Sequence, residues 1–217
     1  MLVLAFDTAT PAITVAIHDG AGVIASATTV DAMSHGELLA PGIARVLADA
    51  GAARTDLTDV AVGVGPGPYT GLRVGVVTAR TLAASLGLRT HGICTLDAIA
   101  ADVVRRQVVD APFAVATDAR RKEVYWARYD GSGHRVEGPG VLRPADLAAR
   151  LPRGTPVLGR GARAYADALA YTEGPLDPDA GVLADVVVRG GAEVLDPEPL
   201  YLRRPDAAPP GERKKAS

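Results

Sequence analysis

The sequence predicts an α/β protein of two lobes, and three observations carry that reading. Short apolar runs bounded by turn residues alternate with longer stretches of helical period. The strand-first pattern restarts at Phe113 after a helical stretch. The 217 residues are 48% hydrophobic yet only 4% aromatic, so a sizeable core exists and Val, Leu, Ile and Ala must fill it.

Residues 2–6 form an apolar run closed by Asp7, as a buried strand requires. Ile13, Val15 and Ile17 then alternate with Thr14, Ala16 and His18 before the turn signal Asp19-Gly20, and residues 23–30 read as a third strand. Together they predict an antiparallel meander with a carboxylate at the end of its first strand. Ser34 is the expected N-cap of a helix reaching about Ala50 and ended by Gly51, with Pro41 in its first turns or bending it. Leu39, Ile43 and Val46 fall on one stripe of that helix. A β run over 59–65 leads into Gly65-Pro66-Gly67-Pro68-Tyr69-Thr70-Gly71 and a second helix to about Leu86. A strand at 89–93 and a helix at 96–106 complete the first lobe, 1–107. The second, smaller lobe is expected over 108–204. Strands to Thr117 and to Tyr129 flank the cluster 118–123, and helical patterns follow at 145–151, 162–170 and 179–194. A disordered tail is expected over 205–217, which ends in Lys214, Lys215 and two further residues.

Composition narrows the function. A formal net charge of -2 argues against a chain that grips a phosphate backbone by itself. One cysteine, Cys94, permits no internal disulfide. The apolar start meets Asp7 too early for a signal peptide, and no run approaches the roughly 18 apolar residues of a membrane span. A cytoplasmic setting without membrane contact is expected.

Candidate sites follow from four segments. The Gly65–Gly71 loop joins a strand to a helix, where backbone N–H groups can converge on phosphate. It lacks a Walker A ending, and Pro66 and Pro68 remove two donors, so it reads equally as a rigid corner. Asp7-Thr8-Ala9-Thr10 can orient a metal-bound water or contact phosphate, or simply bond its own backbone. On these grounds Asp7, Thr8, Gly67 and Thr70 are the candidate nucleotide contacts. The cluster Asp118-Ala119-Arg120-Arg121-Lys122-Glu123 reads as a solvated hairpin tip or as a basic contact. The second helix carries only Arg73 and Arg80 among apolar residues, and Gly71, Gly75, Ala79 and Ala83 recur every four residues. A helix apolar all round is covered on more than one side, so the sequence predicts a protein interface of Leu39, Ile43, Val46, Leu72, Gly75, Val76, Ala79 and Ala83. A bulky charged residue at Gly75 or Ala79 should then abolish pairing and leave the monomer folded. The competing reading sandwiches the helix inside its own fold. His18, His35, His91 and His134 show no metal-ligand spacing, and no nucleophile constellation is present, so no catalytic or metal residue is assigned.

Five segments together resemble one family, TsaB (also called YeaZ). They are Leu4-Ala5-Phe6-Asp7-Thr8-Ala9-Thr10, Ser34-His35-Gly36-Glu37-Leu38-Leu39-Ala40-Pro41, residues 62–75, Asp118 to Tyr125 and Pro199-Leu200-Tyr201-Leu202-Arg203. The resemblance implies an actin-like ATPase (RNase-H-like) fold of two lobes with a reduced second lobe. It also implies a non-catalytic dimerisation or scaffold subunit. Such a subunit forms a homodimer and pairs, through its first two helices, with a TsaD-type catalytic subunit. A TsaE-type ATPase is a further implied partner. Their product is threonylcarbamoyladenosine (t6A) next to the tRNA anticodon, with tRNA engaged only indirectly. No intrinsic cofactor is implied, although ATP or ADP has a place at the partner interface. Thr95 and Ile99 stand where the catalytic relative has its His-x-x-x-His metal pair, and neither replaces imidazole. Gly36 and Pro68-Tyr69 depart mildly from the usual pattern. The alternative is an independent nucleotide-dependent hydrolase, an ATPase or a peptidase acting on its partner.

Overall fold

The computed structural model describes residues 1–203; the tail expected over 205–217 lies outside them. The chain runs β1 (Val3–Asp7), β2 (Ala12–His18), β3 (Val23–Val30), α1 (His35–Asp49), β4 (Asp59–Gly63), α2 (Tyr69–Leu86), β5 (Arg89–Ile93) and α3 (Thr95–Arg105). It continues with β6 (Phe113–Asp118), β7 (Val124–Tyr129), β8 (Arg135–Leu142), α4 (Pro144–Arg150), β9 (Val157–Leu158), α5 (Arg160–Ala164), α6 (Ala180–Arg189) and β10 (Val194–Leu195).

Two mixed sheets result. The first has the order β10-β5-β4-β1-β2-β3, with β1, β2 and β3 antiparallel and β4 and β5 parallel to β1. Side chains alternate across its strands. Leu4 and Phe6 of β1 join Ile13, Val15, Leu39, Val46 and Leu72 in the layer beneath α1 and α2. Val3 and Ala5 point the other way, onto Ala180, Leu183 and Val186 of α6. Both faces are covered, which is why β1, β2 and β4 are buried throughout. The second sheet, β8-β7-β6-β9, is smaller. α3 ties the two together, packing Leu96, Ile99 and Val103 against Phe113, Val115 and Tyr129. A β1–β2–β3 meander flanked by parallel β4 and β5, with helices on both faces, is the RNase-H-like arrangement of the actin-like fold.

Several boundaries differ from expectation. Ser34 precedes α1, but its side chain caps nothing; Asp31 instead accepts from the N–H groups of Met33 and Ser34. Pro41 lies exposed inside α1. The helix expected over 179–194 stops at Arg189, because Gly190 and Gly191 take φ of 83° and 125°. Its freed residues build β10 instead, paired with β5. The helical pattern at 162–170 shortens to α5. β8 escaped the sequence reading, since Gly138, Pro139 and Gly140 interrupt its alternation. The expected 108–204 lobe contributes to both sheets. Its stretch from Ala180 returns to the first sheet through α6 and β10.

Candidate functional site

The end of β1 is the centre of a closed hydrogen-bonded node. Asp7 Oδ1 accepts the N–H of Ala9 at 2.6 Å, and Oδ2 accepts the Thr95 hydroxyl at 2.7 Å. Thr95 Oγ1 in turn accepts the N–H of Gly65 at 3.1 Å. The β1 end, the loop after β4 and the first residue of α3 are thereby locked together. Asp7 is wholly buried, and that burial pushes its pKa up to about 6 against the lowering pull of Thr95 and Ala9. Ile99, one turn further along α3, is fully buried among apolar side chains. Burial also pushes the Cys94 thiol up to about 12, so it stays protonated and inert.

The glycines around this node serve close approach. A Cβ on Gly63 would lie 1.7 Å from Asp7 Oδ2, and one on Gly67 would lie 2.2 Å from the Ala9 carbonyl oxygen. Gly71 and Gly75 would meet the Thr8 carbonyl oxygen at 2.4 Å and Thr8 Oγ1 at 2.5 Å. The Thr8 hydroxyl donates to the Gly71 carbonyl at 2.7 Å. Four glycines at four-residue intervals thus press on residues 7–9, and the loop is the rigid corner of the two readings.

Beside the corner a cleft of about 250 Å³ opens between the sheets, lined among others by Thr8, Thr10, Met33, Thr70, Arg120 and Arg160. Of the four candidate nucleotide contacts, Thr8 and Thr70 line this cleft. Asp7 and Gly67 do not, being sealed against Thr95 and Ala9. His35 Nε2 donates to the Thr10 carbonyl at 2.8 Å and fixes the cleft wall. Arg160 is held by Asp177. The Asp118–Glu123 turn places Arg120, Arg121 and Lys122 at φ of 60°, 52° and 59°, a left-handed conformation that costs such residues about 1–2 kcal/mol each. Asp118 Oδ1 steadies it by accepting the Arg120 N–H at 2.9 Å.

A strap formed by 199–203, one of the five segments that carry the family resemblance, crosses this corner, and nothing in the sequence pairs it with Tyr69. The Leu200 N–H bonds the Val64 carbonyl at 2.8 Å, and Tyr201 stacks on Tyr69 with ring centroids 4.8 Å apart. Tyr69 donates its hydroxyl to the Arg203 carbonyl. Arg203 reaches the Ala119 carbonyl and Glu123 in the basic turn. Two tyrosines 132 positions apart gave no local pattern to find.

The residues expected at an interface are brought together, but inside the chain. Leu39, Ile43, Val46, Leu72, Gly75, Val76, Ala79 and Ala83 are all buried on the faces of α1 and α2 that meet the first sheet. Through Gly71 and Gly75 the small-residue ridge admits the Thr8 turn, the arrangement that the sandwiched reading describes. A bulky charge at Gly75 or Ala79 would therefore disrupt the core. The outer face of α2 carries Thr70, Arg73, Val77, Arg80, Thr81 and Ala84.

The comparisons with known proteins agree with this architecture. A family model described as "TsaD: tRNA N6-adenosine threonylcarbamoyltransferase" matches residues 22–180. An uncharacterised protein of Mycobacterium tuberculosis is 42% identical over 95% of this chain and 94% of its own length. The tRNA threonylcarbamoyladenosine biosynthesis protein TsaB of Escherichia coli is 32% identical over 91% of this chain and 82% of its own. Among solved structures, YeaZ from Pseudomonas aeruginosa superposes with a TM-score of 0.76 at 28% identity, covering 93% of this chain and 99% of that one. A crystal structure described as similar to peptidase YeaZ, also from P. aeruginosa, reaches 0.80 with the same identity and coverage. The sequence motifs, the actin-like topology and these matches agree, and the chain belongs to the TsaB (YeaZ) family.

Proposed function

We propose that this chain works in t6A biosynthesis as a non-catalytic scaffold that holds a TsaD-type catalytic subunit in its active form. The observation that carries the reading is the state of Thr95 and Ile99. At the two positions where the family resemblance implies the catalytic relative's metal-binding histidines, one side chain spends its hydroxyl on Asp7 and the other sits in apolar packing. In this reading the chain pairs with itself alone and exchanges into the mixed complex, to which a TsaE-type ATPase adds. tRNA is held by the partner, because the charge of -2 offers no broad attraction to phosphate. The work is cytoplasmic; among the described residues no helix is long and apolar enough to cross a membrane. Pairing uses the outward faces of α1 and α2.

ATP or ADP belongs at the junction with the partner. The cleft beside Thr8 and Thr70 encloses about 250 Å³, below the roughly 300–1,000 Å³ of usual small-molecule sites. Calorimetry with ADP, with and without the partner, tests this placement. Binding of equal strength by the chain alone would refute it.

Light scattering on the chain alone and mixed with its organism's TsaD-type relative tests the scaffold reading. A homodimer that yields to a stable mixed complex, together with partner-dependent t6A formation, is expected. A chain indifferent to that relative, or one that turns over nucleotide or peptide by itself, would overturn the reading in favour of an independent hydrolase.

A further inference from the structure

The cleft beside Thr8 and Thr70 contains a polar group that the fold leaves unsatisfied. Thr117, near the end of β6, lines it and is only 3% exposed, yet among the described residues its hydroxyl has no hydrogen-bond partner. Such a group costs the fold stability and calls for an explanation. The neighbouring hydroxyls are engaged: Thr8 donates to the Gly71 carbonyl, and Thr10 Oγ1 accepts the Ala12 N–H at 3.2 Å. Thr117 is held in place by α5, since a Cβ on Gly161 would lie 2.7 Å from its carbonyl carbon and oxygen. Two guanidinium groups share the same walls. Arg160 gives its Nε and Nη2 to Asp177, so among the described residues its Nη1 has no partner. The strained left-handed turn brings in Arg120, whose Nε stands 3.8 Å from Asp118 Oδ2. Pro11, Met33 and Pro68 make an apolar wall, and Met33 is 90% exposed.

We propose that this cleft binds a single carboxylate carried on a short apolar stem, supplied by a free acid or by the C-terminal residue of a peptide. The Thr117 hydroxyl donates to one carboxylate oxygen, Arg120 and Arg160 Nη1 answer the charge, and the stem lies along Pro11, Met33 and Pro68. The same walls select against phosphate on two counts. Asp118 and Asp177 already offset the two guanidinium charges, so the cleft suits one added negative charge better than the nearly two of a phosphate group. A phosphate would also leave the apolar wall uncovered. The cleft's volume of about 250 Å³, under the roughly 300 Å³ at which small-molecule sites usually begin, keeps the stem short. An amine is excluded by the two cations. Nothing in this site draws on the outward faces of α1 and α2, so the inference is independent of the scaffold reading.

The isotope-labelled full chain is titrated with N-acetylvaline, with its amide, with an acetylated tripeptide ending in valine, with inorganic phosphate and with ADP, while backbone amide shifts are followed by NMR. Saturable shifts around 8–11, 117–120 and 160 are expected for the acid, with the amide about tenfold or more weaker. Tighter binding of the tripeptide supports the site and assigns its ligand to a chain end; equal or weaker binding supports it and assigns the free acid. Thr117→Val removes the hydroxyl and nearly keeps the side chain's shape. It should weaken the acid about tenfold while the urea midpoint holds or rises, because an unpartnered hydroxyl has gone. Thr117→Ser should keep the affinity, and Arg120→Ala should weaken the acid and spare the amide. Equal binding of acid and amide, no saturable shift with either, or full affinity in folded Thr117→Val would overturn the proposal. Displacement of the acid by phosphate or ADP would overturn it too. Pairing with the TsaD-type relative is scored separately, so either reading can fail while the other stands.

Discussion

Replacing Asp7 by asparagine takes the charge from a carboxyl that the fold closes off completely. Burial raises that carboxyl from 3.8 to about 6. Between those two values the folded chain binds more protons than the unfolded one. The sign is therefore opposite to that of a salt-bridged aspartate. Asp7 favours the fold most below about pH 4, costs stability as pH rises through about 6, and adds no further slope above it. At about 1.4 kcal/mol for each pH unit, the cost at pH 7 is about 3 kcal/mol. In Asp7→Asn the amide oxygen still accepts the Ala9 N–H. The amide N–H then meets Thr95 Oγ1, which has a second lone pair beside the one taken by Gly65. The Thr95 proton loses its acceptor, a penalty of about 1 kcal/mol. Asp7→Asn should thus be about 1 kcal/mol less stable than wild type near pH 4 and about 2 kcal/mol more stable near pH 7. Urea midpoints measured across that range for both proteins check this, because the difference curve cancels every other titrating group. Parallel curves would mean that the folded chain solvates or pairs the Asp7 carboxylate, and the closed node would be wrong.

Two further outcomes follow from the packing around the same corner. Gly75→Val places a branched side chain where even a Cβ would sit 2.5 Å from Thr8 Oγ1. It should destabilise the monomer by about 1–3 kcal/mol; a variant that melts normally and loses only pairing would reinstate the interface reading of this ridge. Tyr201→Ala removes the stack on Tyr69 and the hydroxyl that holds Arg73. The strap should open more often and trypsin should cut after Arg203 sooner, with the global denaturation midpoint changed little; unaltered cleavage would show that the Leu200 and Arg203 bonds alone hold it.

The pattern of glycines explains why the core elements were legible and the face assignment of α2 was not. Strands β1 to β5 and helices α1 to α3 announced themselves because each follows a single period between turn residues. β8 did not, with Gly138-Pro139-Gly140 inside it, and β10 depends on a partner strand about 100 residues away. In α2 nearly every position is apolar or small, so periodicity alone could not say which face the sheet takes. Two signals did carry the answer. Arg73 and Arg80, seven residues apart, mark the solvent side, and the ridge at Gly71, Gly75, Ala79 and Ala83 lies away from them. More telling, the four-residue spacing does not begin with the helix: it starts at Gly63, the last residue of β4, and runs through Gly67 in the loop. A spacing that crosses from strand through loop into helix cannot be a helix-packing ridge, because the strand has a different period. It records one external object pressed along the whole corner, and the Asp7–Ala9 turn is that object. A surface meant for a partner must also be tolerable in water before the partner arrives. On α2 the face that meets this condition is the one where Val77 stands between Arg73 and Arg80, and not the one lined with Leu72, Val76 and Ala79.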